Sequence, residues 1–460
     1  MIILDSYKDN NIAIFGMGVT GIAMAESFVA GGANVFLLDD RDVSLIPDVL
    51  KIIAKYPDAN IFTKHYTLCN WPEIDVLALS PGIPLFVDAH DVVNIARKNN
   101  CRIIGDVELF WEAKKDSAKF ICITGTNGKS TTASLIVHIL KLSGISVELL
   151  GNVGIAVLSA NYADIYVLEL SSFQLDLLDN ACFDISILLN ITPDHLDRYD
   201  SFQSYCNSKK RILHNQKNLS ILNVDDRNCM NIVSTLSDVN IQNKIIFVSP
   251  LGNIEADIII KGDSIVSIKE NKILAELLSN NIFPTSLNKL SILAAYCSCI
   301  GFTAKNNIVT AISSFKPLEH RMEIVCEYNN ILFINDSKAT NIESALFALS
   351  SLRNIYWIAG GKDKNCNLNL ALDGVNFNNV LQCFTIGEMG EVFSNILLSK
   401  GVNSVFYENL DKAFAEALKT ALLFGEPVTI LFSPGFASFD QWQDFNKRGR
   451  AFKNLIMELV

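Results

Sequence analysis

The stretch Ile121-Cys-Ile-Thr-Gly-Thr-Asn-Gly-Lys-Ser-Thr-Thr132 constrains this chain more than any other. A short apolar strand, Phe120 to Ile123, runs into a Gly-rich turn, and the amphipathic stretch Ala133 to Leu142 predicts a helix after it. Strand, glycine turn and helix in that order build a phosphate-binding loop. Glycines let backbone N–H groups crowd round an anion, and the helix N-terminus adds its partial positive charge. The cradle runs through Gly125, Thr126, Asn127 and Gly128. Lys129 reaches the outer phosphates, and the Ser130 hydroxyl, followed by Thr131, holds Mg²⁺. The full pattern has a glycine two residues before Gly125, where Ile123 stands, so this is the shortened form Gly-x-x-Gly-Lys-Ser. A plain connecting turn has no need of the Lys-Ser-Thr-Thr that follows.

A length of 460 residues suggests about three domains at roughly 150 residues each, and 50% hydrophobic residues are ample for buried cores. No unbroken apolar run approaches the ~18 residues of a membrane span. The start, Met-Ile-Ile-Leu-Asp, lacks the basic and apolar regions of a signal peptide. A net charge of −11 argues against general nucleic-acid binding. The 11 cysteines include no Cys-x-x-Cys pair and read as small buried residues of a reducing compartment, so a cytoplasmic location is expected.

Asn11 to Phe15 predicts a buried strand, Gly16-Met-Gly-Val-Thr-Gly21 a tight turn, and the residues up to Ala30 a helix. A second strand, Asn34 to Leu38, ends at Asp39-Asp-Arg41. A Gly-x-Gly-x-x-Gly turn with an acidic residue about 20 positions on is the dinucleotide fingerprint. Alone it predicts a nicotinamide oxidoreductase with Asp39 on a ribose, but the same turn cradles any pyrophosphate. A further strand, Asp75 to Leu79, leads into Ser80-Pro-Gly-Ile83. The polar stretch Glu112 to Lys119 marks a domain boundary. Beyond it an oxidoreductase needs a substrate domain with a catalytic acid or base; the phosphate loop comes instead.

Two more strands of the middle third end in polar motifs. Asp164 to Leu168 ends at Glu169-Leu-Ser-Ser-Phe-Gln174, and Ile185 to Leu189 ends at Asn190-Ile-Thr-Pro-Asp-His195-Leu-Asp-Arg198-Tyr. Ligands of open α/β sheets sit beyond the C-terminal strand ends, so Glu169, Gln174 and His195 are expected to face a nucleotide. Glu169 suits the second Mg²⁺ ligand, and His195 either ligates a metal or orients substrate. Asn152, in the turn Gly151-Asn-Val-Gly154, has an amide to offer a ligand. The helical stretch Ser201 to Leu213 carries Lys209-Lys-Arg211, which composition alone reads as a solvated basic face. Residues 220 to 285 read as short strands and turns, and Leu287 to Ile300 as a core helix. The last third repeats the α/β pattern. Strands Ile331 to Ile334, Ile355 to Ile358 and Val428 to Phe432 end at Asn335-Asp-Ser-Lys-Ala-Thr-Asn341, Ala359-Gly-Gly-Lys-Asp-Lys364 and Ser433-Pro-Gly-Phe-Ala-Ser-Phe-Asp440. Asn341 or Thr340 caps a helix from Glu343 to Leu352. Lysines and hydroxyls gathered at strand ends suit a small carboxylate-bearing substrate.

Together these motifs resemble the Mur ligase family. They run along the whole chain in family order: Thr124 to Thr131, Gly151 to Gly154, Leu168 to Gln174, His195-Leu-Asp-Arg-Tyr199, Glu319-His-Arg321, Asn335 to Asn341 and Ser438-Phe-Asp-Gln441. The phosphate loop is shared across the family; Asp-Ser-Lys-Ala-Thr-Asn with Ser-Phe-Asp-Gln resembles its D-glutamate-adding branch. The resemblance implies an α/β fold of three domains: a Rossmann-like domain at 1–117 for the UDP end of the substrate, a central P-loop ATPase-type domain at 118–318, and a Rossmann-like domain at 319–460 for the amino acid. It implies ATP and two Mg²⁺ ions as cofactors. UDP-N-acetylmuramoyl-L-alanine and D-glutamate are the implied substrates, handled by a monomer without nucleic-acid or membrane-spanning partners.

Residue by residue, the resemblance places Val19, Thr20, Arg41, Ser80, Asn152 and His195 on the UDP substrate. It places Gly125 to Thr131 with Asn288, Arg321 and Asp336 on ATP, and Lys338, Thr340, Lys364, Ser438 and Phe445 on D-glutamate. Lys129, His195 and Lys209 become catalytic. Ser130, Glu169, His195 and Lys209 become metal ligands, Lys209 as a carbamate, which turns a cation into a carboxylate-like group. Three departures stand out: Leu287-Asn-Lys-Leu-Ser291 replaces the family's His-Asn-x-x-Asn, Asp40 stands where a hydroxyl would better suit uracil, and Lys362 rivals Lys364. The alternatives are a Mur-type ligase for another amino acid, and the nicotinamide oxidoreductase.

Overall fold

A computed structural model describes all residues except 153–154, 197, 214–218, 236–243, 278–285, 317, 364–367 and 460. Three sheets follow one another along the chain. The first is fully parallel, with β1 (Asn11–Phe15), β2 (Asn34–Leu38), β3 (Ile61–Thr63), β4 (Val76–Leu79) and β5 (Arg102–Ile104) in the order β3-β2-β1-β4-β5. β1, β2 and β4 are apolar runs buried on both sides, as parallel strands between helix layers must be. The order reverses between β1 and β4, and both carry their Gly-rich turns there.

The second sheet contains β6 (Lys119–Thr124), β7 (Val147–Gly151), β8 (Ile165–Glu169), β9 (Ile185–Leu188), β10 (Leu219–Asn223), β11 (Lys244–Ser249), β12 (Ile258–Lys261), β13 (Ser264–Ser267) and β14 (Lys272–Glu276). Their order is β14-β13-β12-β11-β10-β9-β6-β8-β7. It is parallel from β7 to β12 and closes with the antiparallel hairpins β12–β13 and β13–β14. β6 lies between β8 and β9, so the three motif-bearing strand ends are neighbours. The helix predicted from Ala133 starts earlier and spans Lys129–Leu142, because Gly128 caps it with φ +86°, a conformation that favours glycine. Residues 220 to 285 also hold a helix, Arg227–Ser234, which the strand-and-turn reading missed; Asp226 caps it by accepting from the Cys229 N–H.

The third sheet has β15 (Glu323–Tyr328), β16 (Ile331–Asn335), β17 (Ile355–Gly360), β18 (Val380–Ile386), β19 (Ser404–Phe406) and β20 (Val428–Phe432) in the order β15-β16-β20-β17-β18-β19. Only β15 is antiparallel. Asn341, rather than Thr340, caps the helix Ile342–Ser350 through the Ser344 N–H.

The chain divides into two compact units: residues 1–191 with 198–315, and residues 192–197 with 316–460. The first unit thus holds two sheets, and the short segment around His195 groups with the third. Within the first unit one apolar cluster runs from Ile2 and Phe28 through Phe110 and Phe120 to Tyr205 and Ile232, joining one face of each sheet. Each such buried side chain contributes about 1.5–3 kcal/mol. A polar clamp fixes the same junction. The Glu108 carboxylate, fully buried, accepts the backbone N–H groups of Asp179, Asn180 and Ala181 at 3.0, 2.9 and 3.1 Å. Arg102 adds contacts to Glu112 and Asp179 at 2.8 and 3.0 Å.

Removing the Glu108 carboxylate takes the acceptor from three N–H groups, one buried and two part-buried. Glu108→Ala is expected to lower unfolding stability by about 3 kcal/mol or more, from the loss of charge-assisted hydrogen bonds. Glu112→Gln, at the half-exposed rim, should change it by less than about 1 kcal/mol. Guanidinium unfolding of both variants measures the difference; equal small losses contradict the clamp.

Candidate active site

The phosphate loop follows β6 and is braced from β9. Asn190 binds it twice: its Oδ1 accepts from the Asn127 N–H at 2.8 Å, and its Nδ2 donates to the Asn127 carbonyl at 3.0 Å. The Thr126 N–H donates to the Asn190 carbonyl at 2.9 Å. The loop shape is therefore fixed by the neighbouring strand end rather than by its glycines alone. The Lys129 ammonium lies over the loop, donating to the Gly125 and Thr126 carbonyls at 2.8 and 2.9 Å. Ser130 is buried in the first turn of the helix and Thr131 is half-buried beside it.

Lys209 overturns the reading of a solvated basic face. It is 1% exposed, at the end of the helix Phe202–Lys210. Its Nζ donates to the Gly125 carbonyl at 2.9 Å and lies 4.8 Å from the Tyr205 ring centre. Tyr205 in turn places its hydroxyl 3.1 Å from Thr126 Oγ1. Sequence spacing alone carries no sign of this, because a three-residue basic run looks the same facing water or core. Lys210 shows the expected behaviour, reaching Thr235 at an exposed site.

Glu169 ends β8, next to the loop strand, and is 2% exposed. Its Oε1 accepts from Asn152 Nδ2 at 3.4 Å, and its Oε2 is buried with no hydrogen-bond partner. A buried carboxylate oxygen without a donor is costly unless something cationic completes it. Oxygen donors of this kind suit Mg²⁺, so Glu169 and Ser130 fit the implied ion. Among the described residues no cluster of three or more His, Cys, Asp and Glu could hold a metal. Gln174 does not present its whole amide to a ligand. Its Oε1 accepts from the Ser171 N–H at 3.2 Å in a capping box.

In the first sheet, Asp39 bridges β2 to the Gly-rich turn. Its Oδ2 accepts the Met17 N–H at 2.6 Å, and Arg41 Nε donates to its Oδ1 at 2.9 Å. The Arg41 bond holds the carboxyl down at about 2. An Asp39 engaged on both oxygens is a poor ribose hook, which counts against the oxidoreductase alternative. Ser80 Oγ donates to the Gly16 carbonyl at 2.7 Å, binding the two strand-end turns together. Val19 is exposed and Thr20 half-exposed at the start of the helix Val19–Ala30. Asp40 Oδ1 lies 3.1 Å from His90 Nε2, while His90 Nδ1 accepts from the Val92 N–H. That acceptance assigns the proton to Nε2, facing Asp40.

The second unit contains an open cavity lined by His195, Thr340, Asn341, Lys362, Gly435 and Phe436, among others. His195 adopts φ +54° and its Nε2 lies 3.6 Å from Asp194. Lys338 Nζ sits 3.9 Å from the centre of the Phe445 ring, and Ser438 is buried. Asp336 is buried under these loops. Ser433 Oγ donates to its Oδ2 at 2.7 Å and the Met322 N–H to its Oδ1 at 3.1 Å. Burial pushes its carboxyl up to about 7, against the pull of those bonds and of Arg321. Lys364 and the side chain of Asn288 lie outside the described residues. The sequence reading overlooked Asn190, Tyr205 and Ser433, although Asn190 and Ser433 each open a motif it quoted.

Residues 123–276 match the family model described as Mur ligase middle domain. The chain is 35% identical to the UDP-N-acetylmuramoylalanine–D-glutamate ligase of Wolbachia pipientis wMel, over 99% of this chain and 98% of that protein. It is 37% identical to the enzyme of that name from Brucella abortus (strain 2308), over 100% of this chain and 98% of that one. The solved structure of MurF from Acinetobacter baumannii superposes with a TM-score of 0.59 at 14% identity, covering 99% of this chain and 93% of that one, which shows a shared fold.

The raised Asp336 carboxyl sets a pH dependence. In the unfolded chain it loses its proton near pH ~4, whereas in the folded protein it keeps it to about 7. Between those values the folded state binds more protons, so this group makes stability fall as pH rises, by up to about 1.4 kcal/mol per pH unit. Asp336→Asn removes that slope. Its stability relative to wild type is expected to improve by on the order of 2 kcal/mol from pH 5 to pH 8 in denaturant unfolding; an unchanged difference contradicts it.

Proposed function

Because the chain belongs to the Mur ligase family, in the branch of the UDP-N-acetylmuramoylalanine–D-glutamate ligases, we infer that it is an ATP-dependent ligase of peptidoglycan precursor synthesis that joins D-glutamate to UDP-N-acetylmuramoyl-L-alanine. The observation that carries this reading is full-length similarity to the D-glutamate enzymes, joined to a braced phosphate loop in one unit and a Lys- and hydroxyl-bearing cavity in the other.

A carboxylate does not form an amide in water because oxide is a poor leaving group. The alanyl carboxylate oxygen attacks the γ-phosphorus of ATP as the bond to ADP breaks, giving an acyl phosphate. The D-glutamate amine then attacks the acyl carbon. The tetrahedral intermediate collapses with loss of inorganic phosphate, and the amine gives up its proton. The loop N–H groups and Lys129 hold the transferring phosphoryl group and neutralise its charge. Ser130 would hold one Mg²⁺ and Glu169, with His195, a second; Lys209, in its place against Gly125, would add a ligand as a carbamate. When bound, Mg²⁺ screens the charge of the phosphates. His195 orients the substrate, its ring fixed by Asp194; the family resemblance also gives it a second Mg²⁺.

The turns around Gly16 and Ser80, with Val19, Thr20, Arg41 and Asn152, receive the UDP-muramoyl end. Lys338, Thr340, Ser438 and Phe445 grip D-glutamate. Lys362 lines the same cavity as Thr340, and Lys364 is the other lysine for the substrate carboxylate. The protein's main contribution is positioning three anionic reactants at once. No described helix is long and apolar enough to cross a membrane, and a cytoplasmic monomer is the form proposed.

Phosphate release from ATP and Mg²⁺ with UDP-N-acetylmuramoyl-L-alanine tests this reading. Release should require D-glutamate and be absent with L-glutamate, L-lysine or L-alanine. Release that follows another amino acid overturns the substrate assignment and keeps the ATP site. Lys129→Ala should cut turnover by at least about 100-fold while leaving the fold intact. Chelation of Mg²⁺ should abolish turnover reversibly.

A further inference from the structure

Arg448 lies on the helix Phe445–Met457 and is fully buried, one of the largest side chains in the protein with no exposed surface. A buried guanidinium is expensive, and here burial pulls its proton affinity down to about 9. Its hydrogen bonds all go to one residue. Nε donates to Ser337 Oγ at 3.1 Å, and Nη2 donates to the Ser337 carbonyl at 2.9 Å. Ser337 Oγ passes the link on to the Phe445 carbonyl at 2.8 Å. Ser337 directly precedes Lys338 on the strand-end turn after β16.

The third nitrogen, Nη1, is buried without a hydrogen-bond partner. It lies beneath a second strand-end turn, the one after β17. A Cβ added to Gly361 would come within 3.2 Å of Nη1 and 2.3 Å of the Ala437 carbonyl. Gly361 directly precedes Lys362, whose N–H donates to that same carbonyl at 2.8 Å. A third loop supplies the counter-charge. Asp440 accepts from the Glu388 N–H at 3.0 Å through Oδ2, while its Oδ1 is buried and unpartnered. A Cβ on Gly387 would meet Asp440 Oδ2 at 2.2 Å and the Gly361 Cα at 3.0 Å. Asp440 first, and Asp336 where ionised, oppose the downward pull of burial on Arg448. One planar cation is therefore packed where three strand-end loops converge, against the residue before Lys338 and under the residue before Lys362.

We propose that Arg448 is a positioning residue for amino-acid selection: it sets the placement of the Lys338 and Lys362 turns and thereby the length of dicarboxylate that the cavity accepts. It touches no substrate. The inference rests on the D-glutamate reading above. A lysine replaces it only in part, because a point charge supplies the cation without the fork that holds Ser337 twice.

The test is steady-state kinetics of Arg448→Lys, Arg448→Met and Ser337→Ala, with D-glutamate and D-aspartate as the varied amino acids. Expected for Arg448→Met is a KM for D-glutamate raised at least tenfold, with the KM values for ATP and the UDP substrate within twofold of wild type. The preference for D-glutamate over D-aspartate should fall by at least tenfold. Arg448→Lys should recover part of the loss, and Ser337→Ala should move in the same direction by a smaller factor. If Arg448→Met does not fold, Arg448→Lys and Ser337→Ala decide. Folded variants with unchanged D-glutamate KM and unchanged preference overturn the proposal, as does an equal rise in all three KM values. Wild-type enzyme without D-glutamate-dependent turnover overturns the functional reading instead.

Discussion

The first unit depends on one buried carboxylate. Glu108 receives three consecutive backbone N–H groups of the second sheet's connecting segment. Its charge is tolerated in a dry junction because each oxygen meets a donor. The apolar cluster from Ile2 to Ile232 can then be continuous across both sheets. Two sheets that motif order separates into different domains thus behave as one compact body. The strand-end turns of Gly16, Ser80 and Gly125 are held in a common frame as a result.

The same principle recurs at the chemistry. Loops at the ends of parallel strands have no ladder partners, so their shapes come from side chains that reach across. Asn190 shapes the phosphate loop, Asp39 the first Gly-rich turn, and Arg448 the lysine-bearing turns. Asp39 and Arg448 are buried and Asn190 half-buried, and each trades hydration for fixed geometry. Glu169 Oε2, Asp440 Oδ1 and Arg448 Nη1, each buried without a hydrogen-bond partner, all belong to or lie beneath motif turns.

Much of this was legible in the sequence, for identifiable reasons. β1, β2 and β20 follow the expected runs residue for residue, because a strand buried on both sides must be apolar throughout. The phosphate loop was legible because its glycine, lysine and hydroxyl positions are set by the anion itself. The helix Arg227–Ser234 was not, because Arg-Asn-Cys-Met-Asn offers weak helical propensity and its start depends on the Asp226 cap. The burial of Lys209 was not, because exposure of a basic run is decided by what the fold packs over it. Asp39 looked like a ribose ligand and serves instead as an internal brace, a difference visible only when the Met17 N–H is in place. The cavity position of Lys362 was not legible either, because no spacing rule supplies it.

The second sheet grows by parallel addition from β7 to β12 and then reverses through β13 and β14. That reversal has a consequence for the molecule among its own copies. A long parallel edge is a template for another chain, whereas β14 is short and carries the exposed charges Lys272 and Glu276 at its two ends. A second sheet docking there must bury both charges without partners. The terminal hairpin thereby guards the β14 edge of the sheet against recruiting a neighbouring chain.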